Sequence, residues 1–236
     1  SGSEGVLGIH WRTRDIEENF AYMMEFAWKP GLTAEVFFQD YARRLYPPAI
    51  ADKMAAIHGE LDRLGYRWVG GGGQGECAPF SWGPGEPDKA RALAALRARA
   101  AALLPEARRS APRLQWLLDR IDWVLTYDAA EHAVVEASAV VQKAAADPET
   151  HRETAAKAIA NLGTNPLADA LRAYAVRVST RGEYGVLATI NCKAVPAWET
   201  LLGQVRDTYR DAALPLDTEW NAAPRIVLPR FLGSVE

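Results

Sequence analysis

Apolar positions recur at intervals of three and four along most of this chain, the pattern of helices that bury one face. Phe20, Met23, Met24 and Ala27 trace such a buried stripe on a helix predicted over about 16–28. Asp15 and Glu18 stand three apart at its start like a capping box, and Pro30-Gly31 stops it. Thr33 predicts the cap of a second helix carrying Val36, Phe37, Tyr41 and Leu45. Pro47-Pro48 separates this from a third, over about 49–64, which ends at Gly65 as helices commonly end. An Ala-rich helix is predicted from Asp88 to about Leu104. Pro112, in a first-turn position, starts a long helix to about Ala146 with Leu114, Leu117, Ile121, Val124 and Leu125 as its early stripe. Asp147-Pro148 and Asn165-Pro166 open two more, reaching about Leu162 and Val176. Residues 179–185 interrupt, and a last helix is predicted from Pro196 to Tyr209. Trp116, Trp123, Trp198 and Trp220 read as packing anchors of these helices.

Three segments depart from this rhythm. Val6, Leu7 and Ile9 make a short apolar run that reads as a buried strand, ending in His10-Trp11-Arg12-Thr13-Arg14 just before the first helix. A strand that ends in an imidazole, an indole and two guanidinium groups, then turns into a capped helix, is how a βα unit presents side chains at the edge of a parallel sheet. Such a strand needs neighbours, and the rest of the chain offers almost none. Residues 66–88 form a long stretch of Gly, Pro and aromatics between helices, a length that commonly marks a functional loop. The tail from Leu214 to Glu236 contains Ile226-Val227-Leu228 between prolines, which reads as a strand leading into a further β domain.

Composition narrows the possibilities. The 236 residues carry 27 basic and 30 acidic side chains, a net charge of −3 that leaves no basic stripe for nucleic acid. Arginines do gather in 91–113, but interleaved with Ala and Leu at helical spacing, as on a solvated helix face. The apolar runs are too short to cross a bilayer. Cys77 and Cys192 have no metal-ligand spacing and read as two buried thiols.

Two groups of residues carry candidate chemistry. His10, Trp11, Arg12 and Arg14 suit a sugar-binding rim: a planar indole covers the C–H face of a pyranose while imidazole and guanidinium donate to hydroxyls. The competing reading is structural, with the arginines paired to helix carboxylates and Trp11 in the core. Tyr66, Trp68, Gln74, Glu76 and Trp82, with Phe80, line the glycine-rich loop in a manner that suits a saccharide, against the alternative of a loop packing its own aromatics as a plug. Glu76 is the candidate general acid or base. Gly70, Gly72 and Gly75 match a dinucleotide fingerprint by letter, but Pro79, Pro84 and Gly85 follow where a helix should open, so no nucleotide cofactor is expected. His132 and Glu136 stand at metal-binding spacing on the long helix without a third ligand, and a solvated pair is expected instead of a metal. Arg181 and Glu183 read as a structural salt bridge between helices; His58 and His151 give no signal.

The run Gly8-Ile9-His10-Trp11-Arg12-Thr13-Arg14, the helix ending in Ala27-Trp28, and Phe38-Gln39-Asp40-Tyr41-Ala42 together resemble the end of the catalytic barrel in large bacterial carbohydrate-active enzymes. These are akin to the hexosaminidase-type glycoside hydrolases, family twenty and its relatives. The segment from Thr180 to Asn191 resembles a motif of the helical region that follows that barrel. The resemblance covers about a third of the residues strongly and implies that Trp11 forms a wall of the sugar pocket, with His10 and Arg12 beside it. It also implies that the carboxylate pair performing hydrolysis sits on earlier strands, which this sequence does not contain.

The expected architecture is mainly α: a helical bundle preceded by one terminal βα unit of a (β/α) barrel and followed by a strand-like tail. Residues 1–46 hold the βα unit and the next helix, 47–88 a helix and the aromatic loop, 89–212 a helical accessory domain, and 213–236 the extended tail. The expected function is that of the carboxyl-terminal part of a glycoside hydrolase, whose partners are a carbohydrate substrate and the remainder of the parent enzyme, with no nucleic acid, membrane, cofactor or metal. The alternatives are a non-catalytic helical module that binds glycans or proteins, and a purely structural helical domain.

Overall fold

A computed structural model describes residue 14, residues 17–65, 87–163 and 166–178, and Glu183, Tyr184, Gly185, Leu187, Pro196, Thr200, Gly203 and Asp207. Seven helices follow in chain order among these: α1 (Glu17–Trp28), α2 (Ala34–Leu45), α3 (Pro48–Leu64), α4 (Pro87–Ala101), α5 (Ala111–Ala146), α6 (Pro148–Gly163) and α7 (Pro166–Arg177). Two 3-10 turns, Leu104–Glu106 and Arg108–Ser110, link α4 to α5. The described fold is mainly helical, without strands. The expected strand at 6–9, the loop at 66–86 and the tail at 214–236 lie outside the described residues, as do both cysteines.

Local chemistry sets the boundaries. Thr33 caps α2 in extended conformation, its hydroxyl accepting from the Val36 N–H at 3.3 Å. Asp147 does the same for α6, its carboxylate accepting from the Thr150 N–H at 3.2 Å ahead of Pro148. Gly65 ends α3 in the left-handed region at φ 57°, where a side chain would be strained. Helical backbone resumes at 183–185, within the segment expected to interrupt it. In the last predicted helix, the Thr200 hydroxyl donates to the Pro196 carbonyl one turn back at 2.8 Å.

The described residues divide into two compact units. The first holds α1 to α4, α5 as far as Asp122, and Arg177 with Glu183. Its core joins Phe37, Phe38 and Tyr41 of α2 to Ile50, Met54, Ile57 and Leu61 of α3 and to Leu93 and Leu96 of α4, with Leu114, Leu117 and Ile121 of α5. The second unit packs the rest of α5 with α7. There Trp123 meets Tyr174 edge-on at 4.9 Å and Tyr127 at 4.9 Å, beside Leu167 and Leu171. Trp116 and Trp123 are packing anchors as expected; Trp198 and Trp220 lie outside the described residues.

Helix α1 departs from its predicted packing. No α1 residue is fully buried, and Met23, Phe26 and Trp28 are 38%, 48% and 74% exposed. Of the predicted stripe, Phe20, Met24 and Ala27 are half-buried and Met23 is exposed, while Ala21 and Tyr22 pack against the Phe37 cluster. Glu17 and Glu18 bind arginines of α5, while Met23 and Phe26 face outward. Of the arginines of 91–113, Arg91, Arg99, Arg108 and Arg109 are solvent-exposed as expected, and three of the group make ion pairs between helices. Arg97 forks onto Asp122 with two 2.7 Å hydrogen bonds, Arg99 onto Glu60 at 2.6 and 2.8 Å, and Arg113 reaches Glu17. Each joins two helices of the first unit.

Candidate functional site

Of the residues singled out in the sequence, Arg14 is described; His10, Trp11, Arg12, Tyr66, Trp68, Gln74, Glu76 and Trp82 lie outside the described residues. Arg14 sits with its guanidinium 4.8 Å from the Trp116 ring centroid and its Nε 3.5 Å from the Glu17 carboxylate, with a third of the side chain exposed. Arg14 is thus held by an aromatic face and a carboxylate while keeping one side toward solvent.

Trp116 anchors a larger arrangement. The guanidinium groups of Arg120 and Arg177 lie 5.6 and 5.2 Å from the same ring, and the indole N–H donates to the Glu183 carboxylate at 3.4 Å. Glu183 and Arg177 are both fully buried, 3.9 Å apart. Glu183 therefore has the structural role expected for it, with Arg177 as its partner; Arg181 lies outside the described residues. His132 and Glu136 are exposed on α5.

Beside this, α1, α3 and α5 bring together Glu18, His58 and Arg120. Arg120 Nη1 donates to Glu18 Oε2 at 3.4 Å, and His58 Nδ1 lies 3.9 Å from Glu18 Oε1. The His58 ring stacks on Phe38 at 5.9 Å with an interplanar angle of 11°, meets Tyr41 edge-on, and places Nε2 3.5 Å from the Tyr46 hydroxyl. Burial pushes the His58 imidazole below its ordinary range; the carboxylates of Glu18 and Glu17 oppose this, and the charges of Arg120 and Arg113 reinforce it. His58 is accordingly a neutral ring near pH 7. Burial also raises Tyr41 and Tyr46, helped by the nearby carboxylates, so both phenols stay protonated. Glu17 is different. Burial would raise it, but the hydrogen bond and charge of Arg113, with Arg14 and Tyr41, hold its carboxyl below the usual range.

These groups border a cavity of about 370 Å³ within the first unit. Glu18, Asn19, His58 and Arg120 provide its polar lining, Tyr22, Phe38, Leu61 and Leu117 its apolar walls, and Asp62 and Gly65 lie at its edge. Its volume falls at the lower end of the range of small-molecule pockets.

Sequence reasoning passed over this cluster because its members come from three helices and each has an ordinary local explanation. Glu18 reads as half of a capping box, whereas its carboxylate faces Arg120 and His58; Asp15 lies outside the described residues. The signal was present in two places. His58 falls on the buried Met54–Leu61 stripe of α3, and Arg120, 2% exposed, interrupts the apolar run of α5. A polar side chain in an apolar stripe must find partners.

No family model matches the chain, and no curated protein or solved structure matches it either. Among the described residues, no helix is long and apolar enough to cross a membrane.

Proposed function

We propose that this chain serves as the carboxyl-terminal part of a glycoside hydrolase, supplying wall residues of the sugar pocket and a helical accessory domain. The carboxylate pair that cleaves the glycosidic bond belongs to the remainder of the parent enzyme in this reading. The rim consists of His10, Trp11, Arg12 and Arg14, with Tyr66, Trp68, Gln74, Glu76 and Trp82 contributed by the aromatic loop.

The supporting observation is the outward apolar face of α1. This helix directly follows the rim, and within twelve residues it leaves Met23, Phe26 and Trp28 substantially exposed. Single exposed apolar side chains are ordinary, but Met23 and Phe26, three residues apart, share one outward face of α1, the surface expected of an element that packs against a larger body. A barrel wall is such a body.

A second reading, a non-catalytic helical module that binds a glycan, is favoured by the cavity bordered by Glu18, His58 and Arg120. Sequencing the gene upstream of Ser1 and assaying the purified chain on aryl glycosides separates the two. The hydrolase reading expects several hundred upstream residues of βα repeats and no turnover by this chain alone. Robust hydrolysis by the chain, or an upstream frame without such repeats, contradicts it.

A further inference from the structure

We infer that the cavity between α1, α3 and α5 is a binding site for an uncharged, hydroxyl-bearing ring of about monosaccharide size. The inference deepens the second reading above, that of a glycan-binding helical module, and does not rest on the hydrolase reading.

Charge balance selects the ligand class. Glu18 and Arg120 form a paired carboxylate and guanidinium at 3.4 Å, which leaves the solvent-exposed Asp62 carboxylate as the other charge of the lining. His58 adds none, because its burial keeps the imidazole neutral. An anion entering here would meet Glu18, with Asp62 at the edge, whereas a cation would have to compete with Arg120 for Glu18. A neutral ligand meets neither cost.

Hydrogen-bonding capacity then narrows the class further. Glu18 accepts, Arg120 donates, and Asn19 does both, the complement that vicinal hydroxyls require. The 3.9 Å between His58 Nδ1 and Glu18 Oε1 exceeds a direct hydrogen bond and leaves a span that a single hydroxyl group can bridge. Tyr22 and Phe38 supply apolar surface for the C–H groups of such a ring. The Tyr22 hydroxyl is itself committed to the Leu32 carbonyl at 2.9 Å, which fixes that wall before any ligand arrives. The volume of about 370 Å³ is at the lower end of small-molecule sites, sized for one or two rings and not for a long glycan.

The test is an amide chemical-shift titration of the isotopically labelled full chain with glucose, galactose and N-acetylglucosamine, against glucuronate and glucosamine as anionic and cationic comparators. At least one neutral sugar is expected to produce saturable shifts centred on Asn19, His58 and Gly65, and to bind at least ten-fold more tightly than either charged comparator. Asn19 is solvent-exposed, so Asn19→Ala retains the fold, verified by circular dichroism, while raising the Kd about ten-fold. Val176→Ala, at a position 74% exposed on α7 and absent from the cavity lining, leaves that Kd unchanged. The inference is overturned if no neutral sugar gives saturable shifts, if the shifts centre elsewhere, or if a charged comparator binds as tightly. It is equally overturned if Asn19→Ala has no effect, or if Val176→Ala removes the binding.

Discussion

Arg113 donates to the Glu17 carboxylate at 2.8 Å, joining the first turn of α1 to that of α5 across 96 positions of sequence. Tyr41 donates to the same oxygen at 3.3 Å, so α2 shares the junction. With few buried apolar atoms on α1, this junction and the Glu18–Arg120 pair carry much of the docking of that helix. Arg113→Ala should therefore destabilise the chain by about 1–2 kcal/mol, a charge-assisted hydrogen bond reduced by the partial exposure of both groups. Urea unfolding measures it; a change below about 0.3 kcal/mol would show that α1 is held by something else.

Acid should weaken the fold in two stages. The folded-state pKa of His58 lies below the 6.5 of a free imidazole, so the unfolded chain takes up a proton more readily than the native one. The stability associated with neutral His58 is complete above about pH 6.5 and falls as the pH drops toward the folded pKa. Glu17, also depressed, contributes above its ordinary 4.5 and is lost below that value. Facing His58 are Glu17 and Glu18 from α1, Tyr41 and Tyr46 from α2 and its end, and Arg113 and Arg120 from α5. Thermal unfolding of wild type and His58→Phe between pH 7 and pH 5 tests this. The wild type should lose stability across that window and the variant should stay nearly flat; parallel profiles would assign the loss to another group.

Glu183 and Arg177 depend on each other. Removing one charge from a fully buried pair leaves the other uncompensated, so Glu183→Gln should cost about 3 kcal/mol although it still offers Trp116 an acceptor. Replacing both, as Arg177→Met with Glu183→Leu, should recover a substantial part of the loss. A double-mutant cycle on denaturation free energies reads the coupling directly. Additive losses would mean that the two charges do not sense one another.

Two glycines of α3 should respond to alanine with opposite sign. At Gly65 the added Cβ meets no atom within 4 Å, but φ of 57° is left-handed, so Gly65→Ala should cost about 1 kcal/mol. At Gly59, in the helix interior, the Cβ would sit 3.5 Å from the flexible Arg63 guanidinium and 3.9 Å from Phe38, ordinary contacts. Gly59→Ala should stabilise by about 0.5–1 kcal/mol through helix propensity. Melting temperatures moving in the same direction would contradict the distinction.

Most of the helical order was readable from the residues because the punctuation is strong and local. Thr33, Pro47-Pro48, Gly65, Pro112, Asp147-Pro148 and Asn165-Pro166 fix where helices begin or end whatever surrounds them, and the observed boundaries fall within a few residues of those positions. Periodicity was a poorer guide to which face is buried. On α1 it favoured Met23, which is exposed, beside Phe20, Met24 and Ala27, which are half-buried, and it did not report the long-range pairs of Glu17 and Glu18 with Arg113 and Arg120. On α5, Arg120 lies amid apolar residues that are buried nearly all round, a setting no single stripe describes. The Glu18–His58–Arg120 cluster was illegible for the same reason: sequence spacing reports neighbours along one helix, not three side chains meeting from three.

The most direct measurement of the central claim, that this chain handles carbohydrate without cleaving it, is isothermal titration of the purified chain with N-acetylglucosamine oligosaccharides, with product analysis of the same samples. The account predicts saturable heat, weakened by Trp11→Ala at the rim, and intact oligosaccharide recovered at the end. Absence of any binding heat, or release of shortened sugars by this chain alone, would contradict it.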